Sequence, residues 1–223
     1  YYAALIDRAD PHCPIRRQAL PNLEEAKNFP ENFADPLGDL AHRPAPRITH
    51  RYRNRALLHL TPLCSMNCRY CFRKSLLNEN RDVFFDGEIS QALEYLRQTP
   101  EIEEIIFSGG DPFLANESTL RSALQAIRLI PTIRRVRFHS RVPVTLPIRV
   151  DAAFAELLKE HAKQSVVVTH FNHPNEITEI TKRALDGVFQ RGIILAVNYP
   201  SALAGTGTGT IFTAAANNSA ASS

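Results

Sequence analysis

The chain is 223 residues long, 44% hydrophobic and 22% charged, proportions that suit one soluble domain with a real core. A formal net charge of +3 is too small to argue for nucleic acid as a partner, and no apolar run reaches the length of a membrane span. Four cysteines without a secretory pattern point to a reducing cytoplasm and against a disulfide framework.

Residues 1–52 carry many prolines and charges with little periodicity and are predicted to form an arm that wraps the domain, with one short helix near Leu23–Lys27. The first strand is predicted at Ala56–Leu60, running through Thr61-Pro62 into a cysteine-bearing loop. A helix follows at about Glu88–Arg97, where Ile89, Ala92, Leu93 and Leu96 recur at helical spacing and Pro100 marks the stop. Glu104–Phe107 reads as the second strand and ends in Ser108-Gly-Gly-Asp111. The next helix, about Ser118–Ile130, puts Leu120, Leu124 and Ile127 on one face. The third strand, Arg135–His139, runs into Ser140-Arg141-Val-Pro143, and Arg134, Arg135 and Arg137 read as surface charges. Asp151 is placed to cap a helix with Phe154, Leu157 and Leu158 as its apolar stripe. Ser165–Val168 leads into Thr169-His-Phe-Asn-His-Pro174, a helix from about Glu176 to Gln190 ends near Gly192, and Ile193–Val197 is the fifth strand.

Strands alternating with helices across residues 53–198 argue for right-handed βαβ units and an α/β fold with a parallel sheet. Each polar cluster falls at the C-terminal end of a strand, the face on which β/α barrels build active sites. Residues 199–223 hold no charge and are predicted to be a low-complexity, disordered tail. Gly205-Thr-Gly-Thr-Gly-Thr210 is no phosphate loop, because it lacks the Lys-Ser/Thr and the flanking strand and helix.

The strongest signal is the run Leu63-Cys-Ser-Met-Asn-Cys-Arg-Tyr-Cys-Phe-Arg73. Cys64, Cys68 and Cys71 have the spacing C-x3-C-x2-C; three such thiolates can hold three irons of a [4Fe-4S] cluster and leave the fourth open. The competing reading is a zinc-binding module closed by His170 or His173. Cys13 is remote and reads as an ordinary thiol of the arm.

The cysteine run resembles that of the radical S-adenosylmethionine (SAM) enzymes, and further stretches narrow the likeness. Tyr1-Tyr2 with Leu5-Ile6-Asp7, Asp35-Pro36-Leu37, Thr49-His50-Arg51-Tyr52, Ser108-Gly-Gly-Asp111, Ser140-Arg-Val-Pro143 and His170-Phe-Asn-His-Pro-Asn-Glu-Ile177 resemble the lysine 2,3-aminomutase family. The resemblance covers residues 1–198 and implies a partial (β/α) radical SAM barrel of about five parallel strands behind an N-terminal wrapping arm. It implies an isomerase that uses a [4Fe-4S] cluster and SAM for a 1,2-amino shift on L-lysine, free or on elongation factor P, with pyridoxal phosphate (PLP) holding the migrating amine. Cys64, Cys68 and Cys71 would ligate the cluster and Tyr70 would lie beside adenine. Gly109, Gly110, Asp111, Ser140, Arg141, His170 and Asn172 would surround SAM, and Arg73 would meet the substrate carboxylate. An electron donor such as flavodoxin or ferredoxin is expected, with self-association left open. Family members continue past Asn198 differently, so the chain reads as truncated or divergent there, without the PLP lysine and inactive as given. A radical SAM enzyme that runs another reaction without PLP is the remaining alternative.

Overall fold

The computed structural model describes residues 1–27, 35–77, 84–160, 164–199 and 209–211. Among these residues seven strands form one sheet in sequence order: β1 (Ile48–Tyr52), β2 (Arg55–Thr61), β3 (Glu104–Gly109), β4 (Arg135–His139), β5 (Gln164–His170), β6 (Ile194–Tyr199) and β7 (Gly209–Ile211). Strands β2 to β6 run parallel, the five-stranded partial barrel that was expected, while β1 and β7 pair antiparallel at the two edges. The helices are α1 (Pro14–Ala19), α2 (Lys74–Leu77), α3 (Ile89–Gln98), α4 (Glu117–Arg128), α5 (Val142–Thr145), α6 (Ala152–Lys159) and α7 (Glu179–Phe189).

Side chains alternate along each strand, and this sets the two faces of the sheet. Ala56, Leu58, Ile105, Phe107, Val136, Phe138 and Val167 join the helix stripes of α3 (Ala92, Leu93, Leu96), α4 (Leu120, Ala123, Leu124, Ile127) and α6 (Phe154, Ala155, Leu157, Leu158) in the main core. Asp151 caps α6 as expected, its Oδ1 accepting from Phe154 N at 2.8 Å. An aromatic column stands behind β3 and β4. Phe107 stacks on Phe138 at 5.1 Å, Phe138 meets Phe113 at 5.8 Å, and Phe113 meets Phe154 edge-on at 4.9 Å.

The arm has a core of its own. Tyr2, Cys13, Ile15, Val144 and Phe171 pack together, which explains the buried, unligated Cys13. Pro14 opens α1, where its missing N–H costs nothing. The short helix expected near Leu23–Lys27 is a 3-10 turn, Leu23–Ala26, capped by Asn22.

Three readings need correction. Strand β1 lies within the segment read as arm: only Ile48 and Thr49 are buried, too few to give an apolar run. The helix expected from Glu176 starts at Glu179 under a Thr178 cap (Thr181 N to Thr178 Oγ1, 3.2 Å), because Glu176 sits in a 3-10 turn, Pro174–Glu176, and turns inward. Arg137 is not a surface charge: strand alternation carries it, half-buried, to the concave face, where its NH2 donates to Glu104 Oε1 at 2.7 Å.

Of the segment expected to be disordered, residues 209–211 form β7 and the rest, beyond Tyr199, lies outside the described residues.

Candidate active site

The cysteine loop leaves the C-terminal end of β2 and is clasped at once by the end of β3. Gly110 N donates to Thr61 O at 2.8 Å and Asp111 N to Leu63 O at 2.7 Å. A Cβ on Gly110 would lie 2.4 Å from Leu63 O and 2.6 Å from Pro62 C, so only glycine permits this approach. Gly109 has φ +113°, outside the range of ordinary side chains. Both glycines therefore serve the junction of two loops. Farther along, Arg69 N donates to Gln18 O at 2.9 Å, which ties the loop to α1.

Asp111 is a knot between strand ends. Its Oδ1 accepts from Ser140 Oγ (2.6 Å) and Phe113 N (3.1 Å), and its Oδ2 from Arg141 N (2.7 Å) and Val142 N (3.1 Å). Burial raises its pKa while these bonds pull it down. Asp111 and Ser140 thus fix the β3 and β4 turns, and the carboxylate has no acceptor site spare.

Arg141 crosses from the end of β4 towards the cysteines. Its Nε donates to His170 O (3.2 Å), its NH1 to Cys68 Sγ (3.3 Å) and its NH2 to Glu176 Oε1 (2.7 Å). At the end of β5, His170 Nε2 bonds Asn172 Oδ1, and Asn172 Nδ2 donates to Gln18 Oε1 at 2.6 Å. Tyr70 is half exposed, its ring 6.1 Å from that of His170.

These strand ends surround a cavity of about 230 Å³ lined by Cys64, Cys68, Arg73, Gly110, Asp111, Ser140, Arg141 and His170, among others. Tyr70, Cys71 and Asn172 on the neighbouring loops, and Gly109 at the end of β3, do not line it. Arg73 is held by Asp39 (Nε to Oδ2, 3.1 Å) and by Ser108 (NH1 to Oγ, 2.9 Å). It also lines a second cavity of about 210 Å³, walled by Arg51, Tyr52 and Arg55. Sequence reasoning passed over Gln18, Asp39, His139 and Glu176. Ser108 and Glu176 stand inside motifs already singled out, whereas nothing local marks Asp39 or Gln18.

A match to the radical SAM superfamily model spans residues 58–196. The chain belongs to the radical SAM superfamily. It is 39% identical over 195 residues to the L-lysine 2,3-aminomutase of Clostridium subterminale, covering 87% of this chain and 47% of that protein. Against the Fusobacterium nucleatum enzyme of the same name the identity is 37%, over 87% of this chain and 46% of that one. The Escherichia coli (strain K12) L-lysine 2,3-aminomutase is 37% identical over 85% of this chain and 55% of its own length. The chain spans about half the length of the curated relatives it matches.

Membership of the superfamily implies a [4Fe-4S] cluster and SAM, and the donor set fits them. All three motif cysteines are free and partly exposed. Among the described residues no three Cys, His, Asp or Glu side chains converge on one metal ion. Thiolates that each take a different iron of a cluster need no common point. His170 and His173 are otherwise engaged, His173 Nδ1 accepting from Asn175 N at 3.2 Å. Burial, then the charge of Asp111 and the neighbouring cysteines, pushes the Cys64 thiol up to about 12, and burial also raises Cys71. Such thiols give up their protons to iron as it binds, and Arg141 already points an N–H at one sulfur.

Proposed function

We propose that this chain is the cluster- and SAM-binding part of a lysine 2,3-aminomutase. The observation that carries the reading is the convergence of Cys64, Cys68, Arg141 and Arg73 on one cavity at the C-terminal strand ends, with the third free cysteine, Cys71, on the adjoining loop. Cys64, Cys68 and Cys71 would hold the cluster, and Tyr70, Gly109, Gly110, Ser140, Arg141, His170 and Asn172 would frame SAM, with Asp111 fixing the turns among them. Bound together, the cluster and SAM would supply the radical chemistry for a 1,2-amino shift, with PLP holding the lysine amine.

The chain's own residues orient the reactants. Arg73, braced by Asp39 and Ser108, offers its guanidinium to the carboxylate of L-lysine. Beside it, Arg51 and Arg55 with the Tyr52 ring give the second cavity the charge and the aromatic wall that a phosphorylated pyridine ring calls for. Free L-lysine is the proposed substrate, because the relatives carry it in their names. A lysine of elongation factor P is the variant on this. The working place is a reducing cytoplasm, with flavodoxin or ferredoxin as reductant. The chain as given is proposed to bind cluster and SAM without moving an amine until a PLP lysine is supplied.

The test is anaerobic reconstitution followed by electron paramagnetic resonance (EPR) with and without SAM, then an assay of lysine conversion after joining the C-terminal half of a relative. A reduced cluster signal that changes with SAM, and PLP-dependent formation of β-lysine, are expected. Zinc in place of a cluster would sink the reading. SAM cleavage with no PLP-dependent product would instead favour a radical SAM enzyme of another reaction type.

A further inference from the structure

Arg141 is the one cation aimed at a cysteine sulfur of the loop among the described residues, and what fixes its aim lies far off in sequence. Glu176 is fully buried. Its Oε1 accepts from Tyr2 Oη and from Arg141 NH2, and its Oε2 accepts from Asn172 N at 2.7 Å and His173 N at 3.4 Å. The guanidinium also lies 5.7 Å from the Tyr2 ring centre and 5.6 Å from that of Tyr70. With Nε on His170 O and NH2 on Glu176, the planar fork has one direction left for NH1, and that direction is Cys68 Sγ.

We infer that Glu176, locked by Tyr2 of the N-terminal arm, is the positioning residue that holds Arg141 against the sulfur of Cys68, so that the arm sets the reduction potential of the cluster. The inference rests on the radical SAM reading. Hydrogen bonds to sulfur and nearby charge are what tune an iron–sulfur centre, because they stabilise its more negative, reduced state. Through Oε2 the Glu176 carboxylate caps its own turn, and through Oε1 it joins residue 2 of the arm to residue 141 of the β4 turn. The arm has a second strut on the same site: Gln18 accepts from Arg69 N of the cysteine loop and from Asn172 Nδ2 of the β5 turn. Both sides of the cavity are thereby referred to the first nineteen residues.

The experiment compares the reconstituted chain with its Tyr2→Phe, Glu176→Gln and Arg141→Lys variants by EPR-monitored redox titration, iron content and thermal midpoint. Tyr2→Phe removes a single hydroxyl that touches no cysteine, so iron content is expected to match the parent. Its midpoint potential should be more negative, and several-fold more SAM should be needed to change the EPR signal. Arg141→Lys, which keeps the charge but loses the fork, should move both readouts further in the same direction, whereas Glu176→Gln, which also removes a negative charge beside Arg141, should show itself in a weaker SAM response than that of Tyr2→Phe. A Tyr2→Phe chain with a lower thermal midpoint but the parent potential and SAM response would overturn the inference, leaving Glu176 a structural knot. A parent chain whose cluster signal is absent or blind to SAM would overturn the functional reading first, and this inference with it. Should Glu176→Gln fail to fold, Tyr2→Phe decides the matter alone.

Discussion

Two buried carboxylates hold this site together, and they do so across different distances. Asp111 gathers two backbone amides and a hydroxyl from the next strand end, and the amide of Phe113 two residues on. Glu176 gathers a phenol 174 residues away and a guanidinium 35 residues away, besides two amides of its own turn. The first is a local device that any β/α turn with an aspartate could build. The second exists only when the arm has docked. One carboxylate therefore organises the strand ends for themselves, and the other makes them depend on the start of the chain.

The largest effect expected is from Glu176→Ala, which leaves the Arg141 guanidinium buried without its partner. A loss of about 3–5 kcal/mol is expected in urea unfolding, since breaking a buried pair strands the remaining charge. If the cost is small, the arm is not coupled to the site and the contrast collapses. Gly110→Ala tests the local side: its Cβ must displace the backbone of Pro62 and Leu63, with an expected loss of about 1–3 kcal/mol and a lower iron content on reconstitution.

The next effect is a pH dependence that touches neither carboxylate. His59 is buried, with Nε2 bonded to Thr49 Oγ1 at 2.9 Å, and burial, then Arg73, Arg43 and Arg47, depress its pKa from 6.5 to about 3. The imidazole is neutral in the fold, so its contribution to stability is complete above the unfolded pKa and declines as pH falls from 6.5 towards 3. The slope in that window is up to about 1.4 kcal/mol per pH unit, and His59→Gln should flatten the difference between acid and neutral unfolding curves. The smallest effect is expected at the exposed pair of Arg121 and Glu160: Glu160→Gln should change stability by less than about 1 kcal/mol and leave iron content alone.

Much of the fold was legible because the apolar runs of β2 to β6 and the stripes of α3, α4 and α6 are local periodicities. The three cysteines were legible for the same reason, and Asp151 could be read as a cap from its position alone. Glu176 was misread as helical: three residues upstream of Glu179, it looks like the acidic first turn of a helix, and only partners remote in sequence pull it inward. Arg137 was read as a surface charge because its concave face is polar, so alternation there puts charge where a core usually is. Strand β1 pairs with β2 across a short turn (Ile48 opposite Leu58, Thr49 opposite Leu57), but beyond Ile48 and Thr49 it carries no buried residue, so no apolar run marks it.

The aromatic column behind β3 and β4 has a consequence for time. Phe107, Phe138, Phe113 and Phe154 form one packed aromatic stack, and Phe113 follows two residues after the turn whose amides bind Thr61 O and Leu63 O. Such amides lose protection only when the stack itself comes apart, so the hydrogens of Gly110 and Asp111 should exchange with solvent at the rate of global unfolding. Arg69 N, bonded to the arm at Gln18 O, has no such backing and should exchange through a smaller opening. The two anchors of the cysteine loop would then keep different clocks, the one beneath β3 slow and the one beneath α1 fast.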